Sequence, residues 1–247
     1  MAPTPFRIAL AGITVEVRPI YNMVKNMCRD YLTGAPADFS VAAGETDIAF
    51  EREQSDRQAC REGREPVAYG ADYLETLAVY RQIADQMVDR GVLLFHGSAV
   101  AVDGIGYLFT AKSGTGKSTH TRLWRERFGE RAVMINDDKP LLKITPEKTW
   151  VCGTPWDGKH RLSRNLTVPL KALVILERDR TNHIAPVDGA AALPFLLQQC
   201  YRPENPAGMA QVLGLLDQLT RTVALYKLGC NMDPQAAAVA YDGMQRE

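Results

Sequence analysis

The sequence predicts a mixed α/β (α+β) chain with a partly antiparallel sheet built around a phosphate-binding loop. Three observations carry this. Ala111-Lys112-Ser113-Gly114-Thr115-Gly116-Lys117-Ser118-Thr119 fits the pattern G-x-x-x-x-G-K-[ST], with Ala111 in place of the first glycine. The apolar run Ile105-Gly106-Tyr107-Leu108-Phe109-Thr110 enters this loop as a strand, and residues 117–128 leave it as a helix. Asp103-Gly104, a preferred two-residue hairpin turn, joins the incoming strand to the apolar run 92–102. That strand therefore pairs antiparallel with its predecessor, without the crossover helix that a parallel neighbour requires.

Taken in order, residues 6–17 are rich in β-branched and apolar side chains and predict one or two strands. Met23, Met27 and Tyr31 fall at helical spacing, so 22–32 predicts a short amphipathic helix. Residues 38–43 and 47–50 predict short strands. The stretch 51–66 is highly charged without an apolar period and predicts an exposed loop or hairpin tip. Asp72 with Glu75 resembles a capping box. It opens a helix with Tyr73, Leu77, Tyr80, Ala84 and Met87 on one face, ending before Gly91. Residues 1–90 thus form an N-terminal α+β portion, and 91–247 form the domain that carries the loop.

Residues 92–102 predict one strong strand. If Asp103-Gly104 is a two-residue turn, Val102 faces Ile105, and the register brings His96 opposite Ala111 at the mouth of the loop. A strand-end histidine satisfied within the core is the competing reading. After the loop helix, 132–135 predicts a buried strand ending in Asn136-Asp137-Asp138-Lys139-Pro140. Residues 141–144 and 150–152 predict a strand pair, and 173–176 and 223–228 further strands. Asn205-Pro206 and Asp233-Pro234 each place a capping side chain before a proline at the first helical position.

Composition narrows the function. The chain has 247 residues, with 29 basic and 29 acidic side chains. No basic excess points to nucleic acid or to an anionic membrane. The longest apolar runs are too short to span a bilayer, and no basic stretch followed by an apolar one marks a secretory leader. The five cysteines are scattered, with no C-x-x-C pair, as expected of reduced thiols in the cytoplasm.

The chemistry concentrates at the loop. Gly114 and Gly116 allow a tight turn whose N–H groups can face phosphate oxygens. Ser113, Thr115 and Thr119 complete the lining. Lys117 sets an ammonium against the terminal phosphates, and Ser118 offers a hydroxyl to Mg²⁺. The following helix turns its positive end to the same anion. Asp137 and Asp138 stand at the end of a neighbouring strand, where Mg²⁺ beside such a loop is usually held. Two adjacent carboxylates allow one to serve the metal and the other to accept a proton from a hydroxyl; a solvated turn is the competing reading. Gly153-Thr154-Pro155-Trp156-Asp157-Gly158-Lys159-His160-Arg161 suits a mobile loop that closes on phosphate or substrate, with Trp156, Lys159 and Arg161 as candidate contacts.

A strand bearing His96-Gly97, an antiparallel return, Ser113-Gly114-Thr115-Gly116-Lys117-Ser118 and a strand ending in Asp137-Asp138 resemble the catalytic domain of HPr kinase/phosphorylase. That fold is related to phosphoenolpyruvate carboxykinase. The resemblance covers about residues 91 to 180. It implies that Lys117 and the loop amides bind the β- and γ-phosphates of ATP. It further implies that Ser118 and Asp138 hold Mg²⁺, that Asp137 is the general base, and that His96 sits beside it. The glycine-rich signature of HPr kinases is absent, and Gly153-Thr154-Pro155-Trp156 stands in its region, which resembles small related proteins acting on serine. The expected reaction is ATP-dependent phosphoryl transfer to a serine-type hydroxyl of a small molecule or peptide, in a monomer or an assembly of identical copies. The alternatives are carboxykinase-like transfer to an organic acid and a nucleotide-binding regulatory module without turnover. No Asn-Lys-x-Asp guanine-reading motif is present, which favours ATP as donor.

Overall fold

The computed structural model describes residues 3–61 and 63–245. The chain divides into two compact units, Met1–Gln86 and Met87–Glu247. The first contains β1 (Phe6–Leu10), β2 (Ile13–Val17), α1 (Asn22–Met27), β3 (Phe39–Val41), α2 (Glu45–Arg61) and α3 (Ala71–Val88), whose last turn crosses the boundary. β2 pairs antiparallel with β1 and parallel with β3. Phe6, Ile8 and Leu10 alternate into the interior, as the period of a half-buried strand requires.

Four expectations for this unit are corrected. Residues 47–50 are not a strand, and 51–61 are not a loop: both belong to α2. (Glu62, within the expected loop, lies outside the described residues.) Two acids of this helix, Asp47 and Glu51, pair with Arg81 of α3. Arg81 donates to Glu51 at 2.6 Å and to Asp47 at 2.8 Å, and its guanidinium lies 4.6 Å from the centre of the Phe50 ring. Asp72 and Glu75 make no capping box. The buried Glu75 carboxylate instead accepts from the backbone N–H groups of Ile20 and Tyr21, and burial pushes it above its ordinary pKa. The predicted helix at 22–32 ends at Met27, followed by a single tighter turn at Arg29–Tyr31.

The second unit holds β4 (Val92–Leu94), β5 (Ser98–Val102), β6 (Ile105–Thr110), α4 (Lys117–Phe128), β7 (Ala132–Asn136), β8 (Leu141–Ile144) and β9 (Thr149–Cys152). β10 (Thr167–Arg178), β11 (His183–Pro186), α5 (Gly189–Gln199), α6 (Pro206–Thr222), β12 (Ala224–Cys230) and α7 (Gln235–Gly243) follow. The strand order is β4-β8-β9-β10-β6-β5-β7, with β12 on β10 and β11 on β12. The sheet is mixed: β5 runs antiparallel to β6 and β7, whereas β10 runs parallel to β6 and β12.

The hairpin register is the expected one. Asp103 and Gly104 both take positive φ, 51° and 79°, and Val102 faces Ile105 through to Ser98 facing Phe109. The run 92–102 is not one strand, however. Its backbone leaves the sheet at Phe95–Gly97, where the N–H groups donate to Pro140, Gln199 and Asp138.

Alternation along the central strands builds two interiors. Ala99, Ala101, Leu108 and Leu173 face α5 and α6 through Leu196, Val212, Leu216 and Leu219. Val100, Phe109 and Val174 face α4 and α7 through Leu123, Trp124, Ala237 and Ala240. α6 opens as expected, with Asn205 accepting from the Gly208 N–H at 2.6 Å ahead of Pro206. The three-layer arrangement leaves the loop between β6 and α4 at the sheet's edge of strand ends, beside the end of β7. Cys28, Cys152 and Cys200 are buried thiols. Among the described residues, no helix is long and apolar enough to cross a membrane.

Candidate functional site

The loop is shaped by its glycines. Gly114 has φ of 76° and Gly116 of 121°, conformations that side-chain-bearing residues rarely adopt. Thr115 closes a turn onto the Lys112 carbonyl through both its N–H and its hydroxyl, at 3.2 and 2.8 Å. Arg178, at the end of β10, donates to the Gly114 carbonyl at 2.6 Å. Ala111 is fully buried where the pattern has its first glycine. α4 begins at Lys117 with no side-chain cap at Gly116, so its first-turn N–H groups and positive end are available to an anion.

Ser113, Gly114, Gly116, Lys117, Ser118 and Thr119 border a cavity of about 690 Å³. His96, Asp137 and Asp138 border it too. The topology explains the convergence: β5 lies between β6 and β7, so the strand ends carrying the loop and the carboxylates are two strands apart.

Each acidic side chain is held differently. Asp137 is buried, and Ser98 donates its hydroxyl to Oδ1 at 2.6 Å. Its N–H donates to Asp157 Oδ1 at 2.8 Å. The N–H groups of Asp138 and Lys139 both donate to Asn136 Oδ1, at 2.9 and 2.7 Å. This turn lets consecutive carboxylates reach one cavity, although consecutive strand residues would point to opposite faces. Asn136 is in turn clamped by its amide nitrogen to the carbonyls of Thr154 and Trp156, both at 3.1 Å.

His96 lies between Gln199, with Nδ1 3.2 Å from Oε1, and Asp138, with Nε2 3.6 Å from Oδ1. Burial and then the Lys117 ammonium push its pKa below the ordinary value, against the opposing pull of Asp138. Lys117 is lowered by burial and raised by Asp138 and Asp137. The cavity thus balances a lysine against two carboxylates with a neutral imidazole at its edge.

The first part of the Gly153–Arg161 stretch is held by hydrogen bonds and packing, whereas Lys159, His160 and Arg161 are exposed. A Cβ at Gly153 would lie 1.9 Å from the Arg164 carbonyl oxygen, so only glycine fits there. Trp156 is 3% exposed. Asp157 accepts from the N–H groups of Asp137, Gly158 and Ser163. Lys159 and His160 border the cavity, whereas Trp156 and Arg161 are not part of its lining. Arg122 and Arg125 of α4, and Ser98, Asn136 and Asp157 around the carboxylates, are the neighbours that sequence reading did not single out. The Asn136-Asp137-Asp138 triplet was the available signal, because an asparagine at a strand end folds the chain over its own side chain.

Among the described residues, no group of three or more His, Cys, Asp and Glu side chains forms a ready-made metal centre. The oxygen donors Ser118 and Asp138 border the same cavity. Such a sparse, hard donor set suits Mg²⁺, which keeps waters and is usually shared with phosphates.

The fold is a mixed α/β sheet whose central hairpin leads into a glycine-bearing loop at the mouth of the cavity. Residues 71–204 match the family model described as SynChlorMet cassette protein ScmC, and the chain belongs to that family. No curated protein matches it. Among solved structures, the Hpr(Ser) kinase/phosphatase from Coxiella burnetii is similar over 62% of this chain and 96% of that one. The two are 13% identical, with a TM-score of 0.35.

Proposed function

We propose that the chain is an ATP- and Mg²⁺-dependent kinase that transfers the γ-phosphoryl group to a serine-type hydroxyl of a small molecule or peptide. The observation that carries this reading is the meeting of Lys117, Asp137, Asp138 and His96 on the cavity that the phosphate loop borders. The resemblance of these motifs to HPr kinase/phosphorylase supports the same reading.

The loop amides and Lys117 bind the β- and γ-phosphates and spread the charge of the transferring group. Ser118 and Asp138 would hold Mg²⁺, which would supply charge neutralisation at the phosphates. Asp137 accepts the acceptor's proton. The hydrogen bond from Ser98 fixes one of its oxygens, which leaves the other to face the hydroxyl. His96 stays neutral beside Asp138 and adds no second positive charge to compete with Lys117. A nucleotide-binding module without turnover has no use for the second, buried carboxylate.

The test is ATP consumption screened against free amino acids, hydroxy acids and serine-containing peptides, with mass spectrometry locating the phosphate. Lys117→Ala is expected to lower turnover by about a hundredfold or more in a folded protein. Asp137→Asn is expected to keep calorimetric Mg²⁺–ATP binding while losing transfer, and Asp138→Asn to weaken the Mg²⁺-dependent binding itself. A folded Lys117→Ala variant with a near-normal rate would sink the assignment.

A further inference from the structure

The cavity at the loop continues along α4. Lys117, Thr121 and Arg125 border it and recur every four residues, so they share one face of the helix. At a rise of about 1.5 Å per residue, Arg125 stands about 12 Å along the axis from Lys117. Asp137 is tied to the middle of this row. Its Oδ1 accepts from the Ser98 hydroxyl at 2.6 Å, and Ser98 Oγ lies 2.8 Å from Thr121 Oγ1. The order along the cavity is therefore the loop with Lys117, then the buried carboxylate, then Arg125.

The far end is cationic. Among the described residues its lining adds Arg122, Arg125, Lys159 and His160, and the cavity holds no acid besides Asp137 and Asp138. Arg122 is already paired to Glu126 at 2.6 Å. Arg125 has its Nε buried without a hydrogen-bond partner among the described residues, a costly state for a charged donor. Gly158 brings the chain beside the oxygen of Asp137 that Ser98 leaves free: a Cβ there would lie 3.2 Å from Oδ2. Lys159 and His160 follow directly, so the cationic stretch starts next to the proton-accepting atom.

In-line transfer puts the acceptor and the departing ADP on opposite sides of the γ-phosphorus. The acceptor oxygen bonds to phosphorus as the bond to ADP breaks, and its proton passes to Asp137. The body of the acceptor then lies on the carboxylate's side of the phosphoryl group, toward Arg125 and Lys159.

We infer that Arg125 and Lys159 bind a carboxylate of the acceptor, so that the phosphorylated hydroxyl belongs to an acid. The inference rests on the kinase reading and adds the substrate class: a small hydroxy acid, or a peptide serine beside an acidic residue. Arg125 offers a planar fork that matches a carboxylate, and Lys159 adds a point charge at the exposed rim. Met134 and Leu162 give the cavity an apolar wall for a short carbon skeleton.

The full-length chain is assayed with Mg²⁺–ATP on two matched acceptor pairs. One is N-acetylserine against N-acetylserinamide. The other is a hexapeptide with aspartate after its serine against the same peptide with asparagine. In at least one pair the acid is expected to be preferred by about tenfold or more in kcat/KM, chiefly through KM, the scale of one hydrogen bond to a charged group. The pair that shows it tells a small acid from a peptide. Arg125→Gln is expected to remove most of the preference and Arg125→Lys to restore part of it. Lys159→Gln, at an exposed position, is expected to lower the preference and tests the inference should Arg125→Gln fold poorly. Equal use of acid and amide in both pairs would overturn the inference, as would a preference that survives both glutamine variants. An Arg125→Gln variant that loses calorimetric Mg²⁺–ATP affinity and keeps the preference would give this end of the cavity to the nucleotide and overturn it too. So would a wild type that binds Mg²⁺–ATP but phosphorylates neither acid. A wild type that does not bind Mg²⁺–ATP fails one step earlier, at the reading of the loop itself, and the inference falls with it.

Discussion

His120 shows what one side chain beside the site costs the fold. It sits on α4, one turn past the phosphate loop, and is almost fully buried. Trp124 donates its indole N–H to His120 Nε2 at 3.0 Å, so the imidazole proton resides on Nδ1. That atom is buried without a hydrogen-bond partner among the described residues. Burial pushes the pKa down to about 4. In the unfolded chain the imidazole titrates near 6.5, so between these values the unfolded state binds more protons than the folded one. The neutral histidine's contribution is therefore fully present above about pH 6.5 and is lost as pH falls toward 4. It is worth about 3 kcal/mol. Urea unfolding of the wild type across this window is expected to show a steep loss of stability. His120→Gln keeps an acceptor for Trp124 but does not titrate, and it should flatten the slope. An unchanged slope would mean that other groups carry the acid sensitivity.

At the scale of elements, the stretch after β9 is a brace for the carboxylates. Asn136 and Asp157 reach toward each other's segments, and the Trp156 side chain between those segments in sequence is buried. Trp156→Ala is therefore expected to cost about 3–5 kcal/mol of stability, as for other large buried aromatics. It should also lower kcat by displacing Asp137, and Trp156→Phe should restore most of both. A stable alanine variant altered only in acceptor KM would return Trp156 to the role of a substrate contact. This brace was illegible in the sequence, because turn formers and an aromatic look alike in a swinging loop and in a pinned one. The turn between β6 and α4, the hairpin and the carboxylate-bearing strand were legible because each is fixed by neighbours in the chain. α2 was not, since Ile48 and Ala59 alone are buried along it and Arg81 of α3 decides its form. The break at Phe95–Gly97 was hidden for the same reason: apolar runs stand on both sides of His96-Gly97-Ser98, and distant backbone groups end the strand. α5 had a visible start in Asp188, which accepts from the N–H groups of Ala190 and Ala191, yet the alanine-rich run after it lacks a clear period.

For the whole molecule, the Asp103-Gly104 hairpin bears on the order in which the chain assembles. It pairs residues only a few positions apart, from Val102 with Ile105 to Ser98 with Phe109. The parallel pairings join Gly106 to Leu170 and Ala172 to Ala224, and so require large loops to close first. Isolated hairpins form in about 1–10 μs, whereas non-local pairing is slow. The strand that enters the loop is thus expected to align before the strands that flank it on the other side arrive. A Cβ at Gly104 meets nothing within 4 Å, so alanine there carries only the strain of its positive φ, about 1–2 kcal/mol. Gly104→Ala should spend that penalty in the refolding rate, slowing it by roughly tenfold with little change in unfolding. Val174→Ala, on the late parallel pairing, should mainly speed unfolding. Stopped-flow refolding and unfolding of both variants measure this, and the reverse pattern would place the nucleus in β10. With the expected pattern, the turn that gives the site its register is also the point from which the sheet condenses, and the loop's footing is laid before its long-range partners are in place.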